Sequence, residues 1–334
     1  MKICIFGGGA IGGHIAAHLA REGAAEVSVV ARGATLQAIR EHGIIVETPT
    51  ERFAQKVRAT DHAAELGPQD YVFLTLKAHQ LDAALDDVAH LIGPDTVLLP
   101  PTTGLPHYFF GTGEAARLID PSGRQAALMP DRRVLGVVYW IGAHSSAPGV
   151  VSQDGAKAGC PLGELDGSVS PRAAALAERL TAAGIPSKVT PNVQGAIWMK
   201  FVNSLCWNPV AILTLARICD IDQSDCRDLI AGLMDEADAG AKAIGIEIPQ
   251  LPERRIALTA TAGSHKMSML QDLEHGRMLE LDVLCRSIEA VQRLSGIEMP
   301  RMNAVLALAR LRASQHHQMI GGNHPADRSQ GDQP

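Results

Sequence analysis

The segment ICIFGGGAIG at residues 3–12 decides the fold, because an apolar run rich in strand formers leads directly into a glycine-rich turn. Its last six residues satisfy G-x-G-x-x-G, and a helical pattern follows at once. In this setting Gly7 permits the tight turn, Gly9 lets backbone amides approach a pyrophosphate, and Gly12 lets the helix pack closely on the strand. The helix then presents unpaired N–H groups to the phosphates. The segment predicts a dinucleotide-binding loop formed by Gly7, Gly8, Gly9, Ala10, Ile11 and Gly12.

The first half of the chain alternates β-like runs with helical patterns, which favours a parallel sheet with crossover helices. We expect strands at Ile3–Phe6, Glu26–Ala31, Gly43–Glu47, Tyr71–Leu76, Thr96–Leu99 and Val134–Trp140. We expect helices at Ala10–Arg21, Thr35–Glu41, Gln80–Ile92 and Pro171–Ala183.

After Pro191 the pattern is helical nearly to Arg312, with breaks near residues 220–224, 245–252 and 296–300. The fold class is therefore α/β over residues 1–190, followed by an all-helical part over residues 191–313. The polar tail at residues 314–334 is expected to be disordered. Its histidines could bind a metal, but an unstructured tail is favoured and no metal site is predicted. They are His316, His317 and His324.

Composition and charge argue against several other classes of protein. The chain has 334 residues, 46% of them hydrophobic, with 30 Lys and Arg against 36 Asp and Glu, a net charge of −6. No basic stripe interleaved with aromatics supports nucleic-acid binding, and no run of about 18 apolar residues predicts a membrane span. The six cysteines are scattered without a CxxC pair, so reduced thiols in a cytoplasm are expected.

Arg32 stands where the dinucleotide is selected. A carboxylate at the end of the second strand favours NAD or FAD, because it binds the ribose 2′-hydroxyl. The expected strand at residues 27–31 carries no Asp or Glu at its tip and runs into Arg32. An arginine offers a planar, charged fork to a 2′-phosphate. The sequence therefore favours NADP over NAD or a flavin, the plain alternative being a solvated arginine at a strand end.

A polar stripe lies in the apolar segment at residues 198–209. Lys200, Ser204 and Asn208 are spaced four residues apart, so on a helix they share one face. A lone lysine on an apolar helix is often a snorkelling surface residue. Because this lysine is in line with two neutral hydrogen-bonding groups, the interpretation that the three line a pocket is about as good as the interpretation that the lysine lies at the surface. A second polar block, residues 268–282, is by itself typical of a solvated corner between helices.

Four segments taken together resemble the ketopantoate reductase family (2-dehydropantoate 2-reductase), collinearly over roughly residues 1–312. They are GGGAIGG at 7–13, TLKAHQ at 75–80, W-x-K…N-P within 198–209, and SMLQDLEHGRMLELD at 268–282. The resemblance implies an NADP-binding Rossmann-type domain, an all-α C-terminal domain, and an active site in the cleft between them. It also implies reduction of a 2-keto acid by NADPH, namely ketopantoate to pantoate in pantothenate biosynthesis.

The resemblance also assigns roles to individual residues. Lys200 matches the family's catalytic lysine, which would stabilise the developing alkoxide and donate a proton to it. The residues implied to bind substrate are Ser204, Asn208 and Ser268. Those implied to lie at the cofactor, besides the glycine loop, are Arg32, Lys77, Thr103 and Glu280.

Two positions depart from the family's pattern. Thr103 stands where the family usually has the asparagine of an Asn-Gly pair. Ser204 stands where it usually has an asparagine, and Asn203 is one residue early, about 100° away around a helix. These departures leave open a paralogous reductase of another keto acid, and a non-catalytic NADP-binding module is a further alternative. A homodimer through the helical part is also open, since its apolar stretches fit a dimer face or a core.

Overall fold

The structure is a computed structural model of the chain and describes residues 1–111 and 113–321. The chain divides into two units, Met1–Lys200 and the residues from Phe201 onward. The division falls inside a helix, at residue 200, whereas the sequence suggested residue 190. This position follows from Val193 and Ile197, at the start of that helix, because both pack against Gly136 of the first unit.

The strands in chain order are β1 (Lys2–Phe6), β2 (Glu26–Val30), β3 (Ile44–Glu47), β4 (Arg52–Gln55), β5 (Arg58–Thr60), β6 (Tyr71–Leu74), β7 (Val97–Leu99), β8 (Gly136–Val137), β9 (Trp140–Ala147), β10 (Val150–Gly159) and β11 (Leu162–Gly163). The helices are α1 (Ala10–Glu22), α2 (Gly33–His42), α3 (Leu81–Ala89), α4 (Glu114–Ile119), α5 (Arg124–Leu128), α6 (Pro171–Ala182), α7 (Val193–Thr214), α8 (Ile218–Asp222), α9 (Cys226–Ala243), α10 (Pro252–Ala260), α11 (Ser268–Glu274), α12 (Leu281–Ser295) and α13 (Pro300–Gly321).

The first unit is built on a five-stranded, all-parallel sheet in the order β5-β2-β1-β6-β7. The α/β class predicted from the sequence is therefore confirmed. The central strands β1 and β6 are buried along almost their whole length, as expected where crossover helices cover both faces of a parallel sheet. The edge strand β5 was not anticipated, because three residues with one buried side chain carry little apolar signal.

A second, four-stranded sheet in the order β4-β3-β10-β9 packs against α1. The contact is close, since a Cβ added to Gly13 would lie 2.8 Å from Cγ2 of Val151 on β10. The sequence indicated β3 but not β4 or the β9–β10 hairpin. The single strand expected at residues 134–140 is interrupted, because the Trp140 N–H donates to the Val138 carbonyl at 3.2 Å and forms a tight turn there.

Two histidines of α1 face this second sheet and the end of α6. The His14 and His18 rings stack with centroids 4.3 Å apart. Nε2 of His14 lies 2.9 Å from Oε1 of Gln153, and Nδ1 of His18 lies 3.1 Å from the Ala183 carbonyl. Burial, and secondarily the nearby His18, lowers the pKa of His14 to about 4. Burial at this interface therefore favours the neutral form of His14 over the charged form.

The second unit is helical throughout its described part, as the sequence predicted. Leu215, directly after α7, has a φ of 60°, which ends that helix. The helical pattern is therefore interrupted before α8 as well as at the predicted break near residues 220–224. A buried ion pair joins Arg255 of α10 to Asp238 of α9. No helix within the described ranges is long and apolar enough to cross a membrane.

The end of the chain differs from the expectation. Residues 314–321, expected to belong to a disordered tail, continue α13, and Nε2 of His316 lies 3.1 Å from the Arg277 carbonyl. Residues 322–334, including His324, lie outside the described residues. In the part of the chain that is described, no group of three or more His, Cys, Asp or Glu side chains could hold a metal ion.

Candidate active site

Four of the predicted cofactor-binding segments follow neighbouring strands of the parallel sheet. The glycine loop follows β1, Arg32 follows β2, Lys77 follows β6 and Thr103 follows β7. These strands are adjacent in the order β2-β1-β6-β7 and all run parallel. Their carboxyl ends therefore share one edge, which is where open α/β sheets bind ligands.

The glycine loop is held by its neighbours in a conformation that requires glycine. Gly7 has φ of 119°, and its N–H donates to the Val30 carbonyl of β2 at 2.9 Å. The Thr75 hydroxyl donates to the Gly7 carbonyl at 2.9 Å. A Cβ added to Gly12 would lie 2.9 Å from Cγ2 of Ile5, and closer still to the Gly7 carbonyl oxygen. Thr75 is a loop-fixing residue that the sequence did not single out.

The first turn of α1 offers an open cradle for an anion. Gly9 caps the helix with no side-chain hydrogen bond, and no acidic residue lies in the first turn. A Cβ added to Gly9 would meet no protein atom within 4 Å. The N–H groups that a helix's first turn leaves without intrahelical partners, the positive helix end and the open space beside Gly9 fit a dinucleotide pyrophosphate.

Arg32 lies at the start of α2, where its side chain is 67% exposed. Its Nη2 donates to Oδ2 of Asp87 on α3 at 2.7 Å. The Arg32 guanidinium thus lies beside the edge of the sheet, and its exposure lets it reorient. A bound anion would have to compete with Asp87 for this guanidinium. An exposed ion pair of this kind contributes about 0–1 kcal/mol, so a phosphate can displace it.

Lys77 and Thr103 are both half-buried in the segments after their strands. The Lys77 N–H donates to Oε1 of Gln80 at 3.2 Å, which fixes the short turn between β6 and α3. Both residues therefore lie at the same sheet edge as the glycine loop.

Lys200 is half-buried on α7 in the first unit, and its Nζ lies 5.1 Å from the centroid of the Trp140 ring. Trp140 begins β9, directly after Tyr139, whose hydroxyl donates to the carbonyl of Leu99 at the end of β7 at 3.2 Å. Trp198 stacks on Phe109 with centroids 6.4 Å apart. The Tyr139 and Trp198 contacts place the start of β9 and the part of α7 next to Lys200 beside segments at or just after the carboxyl end of β7.

Trp140 was missed from the sequence. Its exposure, though not its contact with Lys200, has a sequence signal, because the apolar residues Tyr139 and Ile141 flank it and strand alternation turns position 140 to the opposite face.

The second unit brings the three predicted substrate residues together. Asn208 is 1% exposed, and its Nδ2 donates to the Ser204 carbonyl at 3.0 Å. Its Oδ1 accepts the N–H of Met269 at 3.0 Å, in the first turn of α11, next to the exposed Ser268. Asn208 therefore fixes α11 against α7, a role that the helical stripe alone did not indicate.

Asn203 and Glu280 occupy other positions in the same unit. The Thr259 hydroxyl of α10 donates to Oδ1 of Asn203 at 2.8 Å, so Asn203 serves helix packing. Glu280 is half-buried and precedes the first residue of α12.

Comparison with known proteins covers nearly the whole chain. The family model described as "Ketopantoate reductase PanE/ApbA" matches residues 3–167, and "Ketopantoate reductase PanE/ApbA C terminal" matches residues 192–313. A 2-dehydropantoate 2-reductase from Mesorhizobium japonicum is 40% identical over 317 residues, covering 93% of this chain and 97% of the relative.

Solved structures agree with this comparison. A crystal structure from Ralstonia solanacearum MolK2, of a protein assigned to the ketopantoate reductases, has a TM-score of 0.85 at 35% identity, covering 94% of this chain and 98% of that one. D-mandelate dehydrogenase, solved with NADH and anilino(oxo)acetate, has a TM-score of 0.80 at 22% identity, covering 95% of this chain and 99% of that one. The latter is a likeness of fold.

Proposed function

As a member of the ketopantoate reductase family, this chain is an oxidoreductase that reduces 2-dehydropantoate to pantoate with a pyridine nucleotide, and we propose NADPH as that nucleotide and Lys200 as the proton donor. The observation that carries the proposal is the shared sheet edge. There the glycine loop, Arg32, Lys77 and Thr103 follow four adjacent parallel strands. Lys200 contacts Trp140, and the neighbouring Tyr139 donates a hydrogen bond to the end of β7, so we assign the lysine to this edge.

Each group at this edge suits one part of the dinucleotide. The first turn of α1 and the open space at Gly9 suit the pyrophosphate. Arg32 suits the 2′-phosphate, because a guanidinium binds phosphate oxygens with charge-assisted hydrogen bonds. Lys77 and Thr103 follow the strands on the other side of β1, and we assign them to the nicotinamide end. When bound, the reduced nicotinamide supplies the hydride that reaches C2 of the keto acid.

Lys200 supplies the other half of the reduction. As C2 gains a hydride, negative charge develops on the keto oxygen, and an ammonium directed at that oxygen stabilises the charge. The same ammonium then donates a proton to the oxygen and completes the 2-hydroxyl group. We assign Glu280 to the surroundings of the lysine and cofactor, where a carboxylate favours the ammonium form.

The remaining polar residues suit a substrate that carries a carboxylate and a hydroxyl group. The exposed hydroxyl of Ser268 and the half-buried Ser204 are available hydrogen-bonding groups. Asn208 already donates one amide hydrogen to Ser204 and accepts from Met269, so its second amide hydrogen is the part that we assign to substrate.

A substrate and cofactor panel tests the proposal. The decay of NADPH or NADH absorbance is followed with 2-dehydropantoate, pyruvate and an aryl 2-oxo acid. We expect the highest kcat/KM for 2-dehydropantoate with NADPH. Turnover confined to another keto acid would instead establish the paralogous reductase, which Thr103 and Ser204 favour because both shorten a polar side chain of the family pattern.

Compartment and assembly complete the proposal. All six cysteines are free thiols, which supports a reducing compartment, and we assign the protein to the cytoplasm. A homodimer through the helical part stays a prediction. It would cover apolar side chains such as Leu308 and Leu311 of α13, each 58% exposed. Sedimentation analysis across a concentration series tests it.

A further inference from the structure

Trp140 is a large aromatic side chain that the core does not use. Its neighbours Tyr139 and Ile141 are each 7% exposed, whereas Trp140 is 38% exposed. Its backbone is fixed by the turn to Val138 and by pairing with Gly159 of β10. The indole is therefore presented from a rigid position on the strand, away from the core.

The side chain that the indole meets is Lys200. Nζ lies 5.1 Å from the ring centroid, within the distance of about 6 Å at which an aromatic face attracts a cation. Indole attracts cations more strongly than the other aromatic side chains. Burial raises the pKa of the Cys160 thiol to about 12, an effect that the positive charge of Lys200 partly offsets, so the thiol stays neutral.

We propose that Trp140 is a positioning residue for Lys200, whose ammonium its indole face holds in place and keeps charged before proton transfer. The inference rests on the proposed role of Lys200 as proton donor. Two effects follow from the same contact. The contact restricts the orientations of the flexible Lys200 side chain. The indole face also attracts the ammonium form of the lysine but not the neutral amine form.

The test compares two substitutions that differ in the π face. Trp140→Leu keeps an apolar side chain but removes the face, and Trp140→Phe restores a face. In Trp140→Leu we expect the alkaline limb of the kcat profile to move about half a pH unit lower, the shift that an ordinary cation–π contact supports. Above that limb kcat falls about threefold, while the Kd for NADPH is unchanged. Trp140→Phe recovers most of the shift.

A matched control exists in the same unit. The guanidinium of Arg21 lies 4.3 Å from the centroid of the Phe53 ring, and Phe53→Leu removes that cation–π contact. We expect this variant to keep the wild-type pH profile. If Trp140→Leu fails to fold, tryptophans of increasing fluorination at position 140 replace it, since fluorine withdraws charge from the ring face with little change of shape. The alkaline limb should then move lower with each added fluorine.

The outcomes separate the two proposals. Full turnover in Lys200→Ala would refute the proton-donor assignment itself. An inactive Lys200→Ala together with a wild-type pH profile in Trp140→Leu, or in the fluorinated series, would overturn the role of Trp140 alone.

Discussion

Two glycines of the loop provide a matched pair of substitutions, because the structure predicts opposite consequences for them. In Gly12→Ala the new methyl group would clash with Ile5, Thr75 and the Gly7 backbone, which cannot all move aside. Forcing an extra methyl group into a packed site costs about 1–3 kcal/mol. For a unit of this size that corresponds to a fall in Tm of roughly 2–12 °C. In Gly9→Ala the new methyl group meets no protein atom within 4 Å.

Gly9→Ala should therefore leave the fold intact and still impair the cofactor site. The loss of glycine at a helix cap and the lower entropy of the unfolded chain nearly cancel, so we expect a stability change of under about 1 kcal/mol. The methyl group occupies the space assigned to the pyrophosphate, and displacing one charge-assisted hydrogen bond costs about 1.5–3 kcal/mol, or roughly 10- to 150-fold in the Kd for NADPH.

The assays are thermal unfolding without ligand and NADPH binding by fluorescence titration. We predict that Gly12→Ala lowers Tm, and that Gly9→Ala weakens NADPH binding at an unchanged Tm. Wild-type affinity for NADPH in Gly9→Ala would refute the pyrophosphate position. A wild-type Tm in Gly12→Ala would refute the packing account of the loop.

Two further predictions concern the cofactor preference and the pH dependence of stability. Arg32→Ala should lower kcat/KM for NADPH by about 10- to 100-fold and leave kcat/KM for NADH unchanged. Asp87→Asn should raise the affinity for NADPH a few-fold, because it removes the competing ion pair with Arg32. Equal losses with both nucleotides in Arg32→Ala would contradict the 2′-phosphate assignment. His14 has a pKa of about 4 in the fold against 6.5 ordinarily, so its contribution is complete above pH about 6.5 and is lost as the pH falls towards 4. The free energy of unfolding, measured by chemical denaturation, should differ between pH 7.5 and pH 5, and His14→Gln should reduce that difference by about 2 kcal/mol. The control His62→Gln, at an exposed position, should not reduce it. Identical pH dependence in wild type and His14→Gln would count against a neutral buried His14.

The sequence predicted the parallel sheet and its glycine loop because both depend on local signals. An apolar strand, a glycine turn and an amphipathic helix are contiguous in residues 3–22, and the same pattern recurs along the first half of the chain. The hairpin of β9 and β10 was not predictable in the same way. Its partner strand β3 lies about a hundred residues earlier, so the pairing has no local signal, and both strands pack on α1.

The same distinction between local and long-range signals applies to the site residues. Lys200, Ser204 and Asn208 share a stripe that helical periodicity identifies, whereas the contact of Lys200 with Trp140 joins positions 60 residues apart and has no local signature. Asn208 illustrates the opposite case. Periodicity placed it on the right face, but only the tertiary structure shows that it holds the start of α11 at Met269.

The most direct test of the central claim is the rate of hydride transfer in Lys200→Ala, measured in a single turnover with saturating NADPH and 2-dehydropantoate. Loss of a general acid predicts a fall of at least about 100-fold in that rate, with the Kd for NADPH retained. A rate close to that of the wild type would contradict the claim that the lysine ammonium delivers the proton.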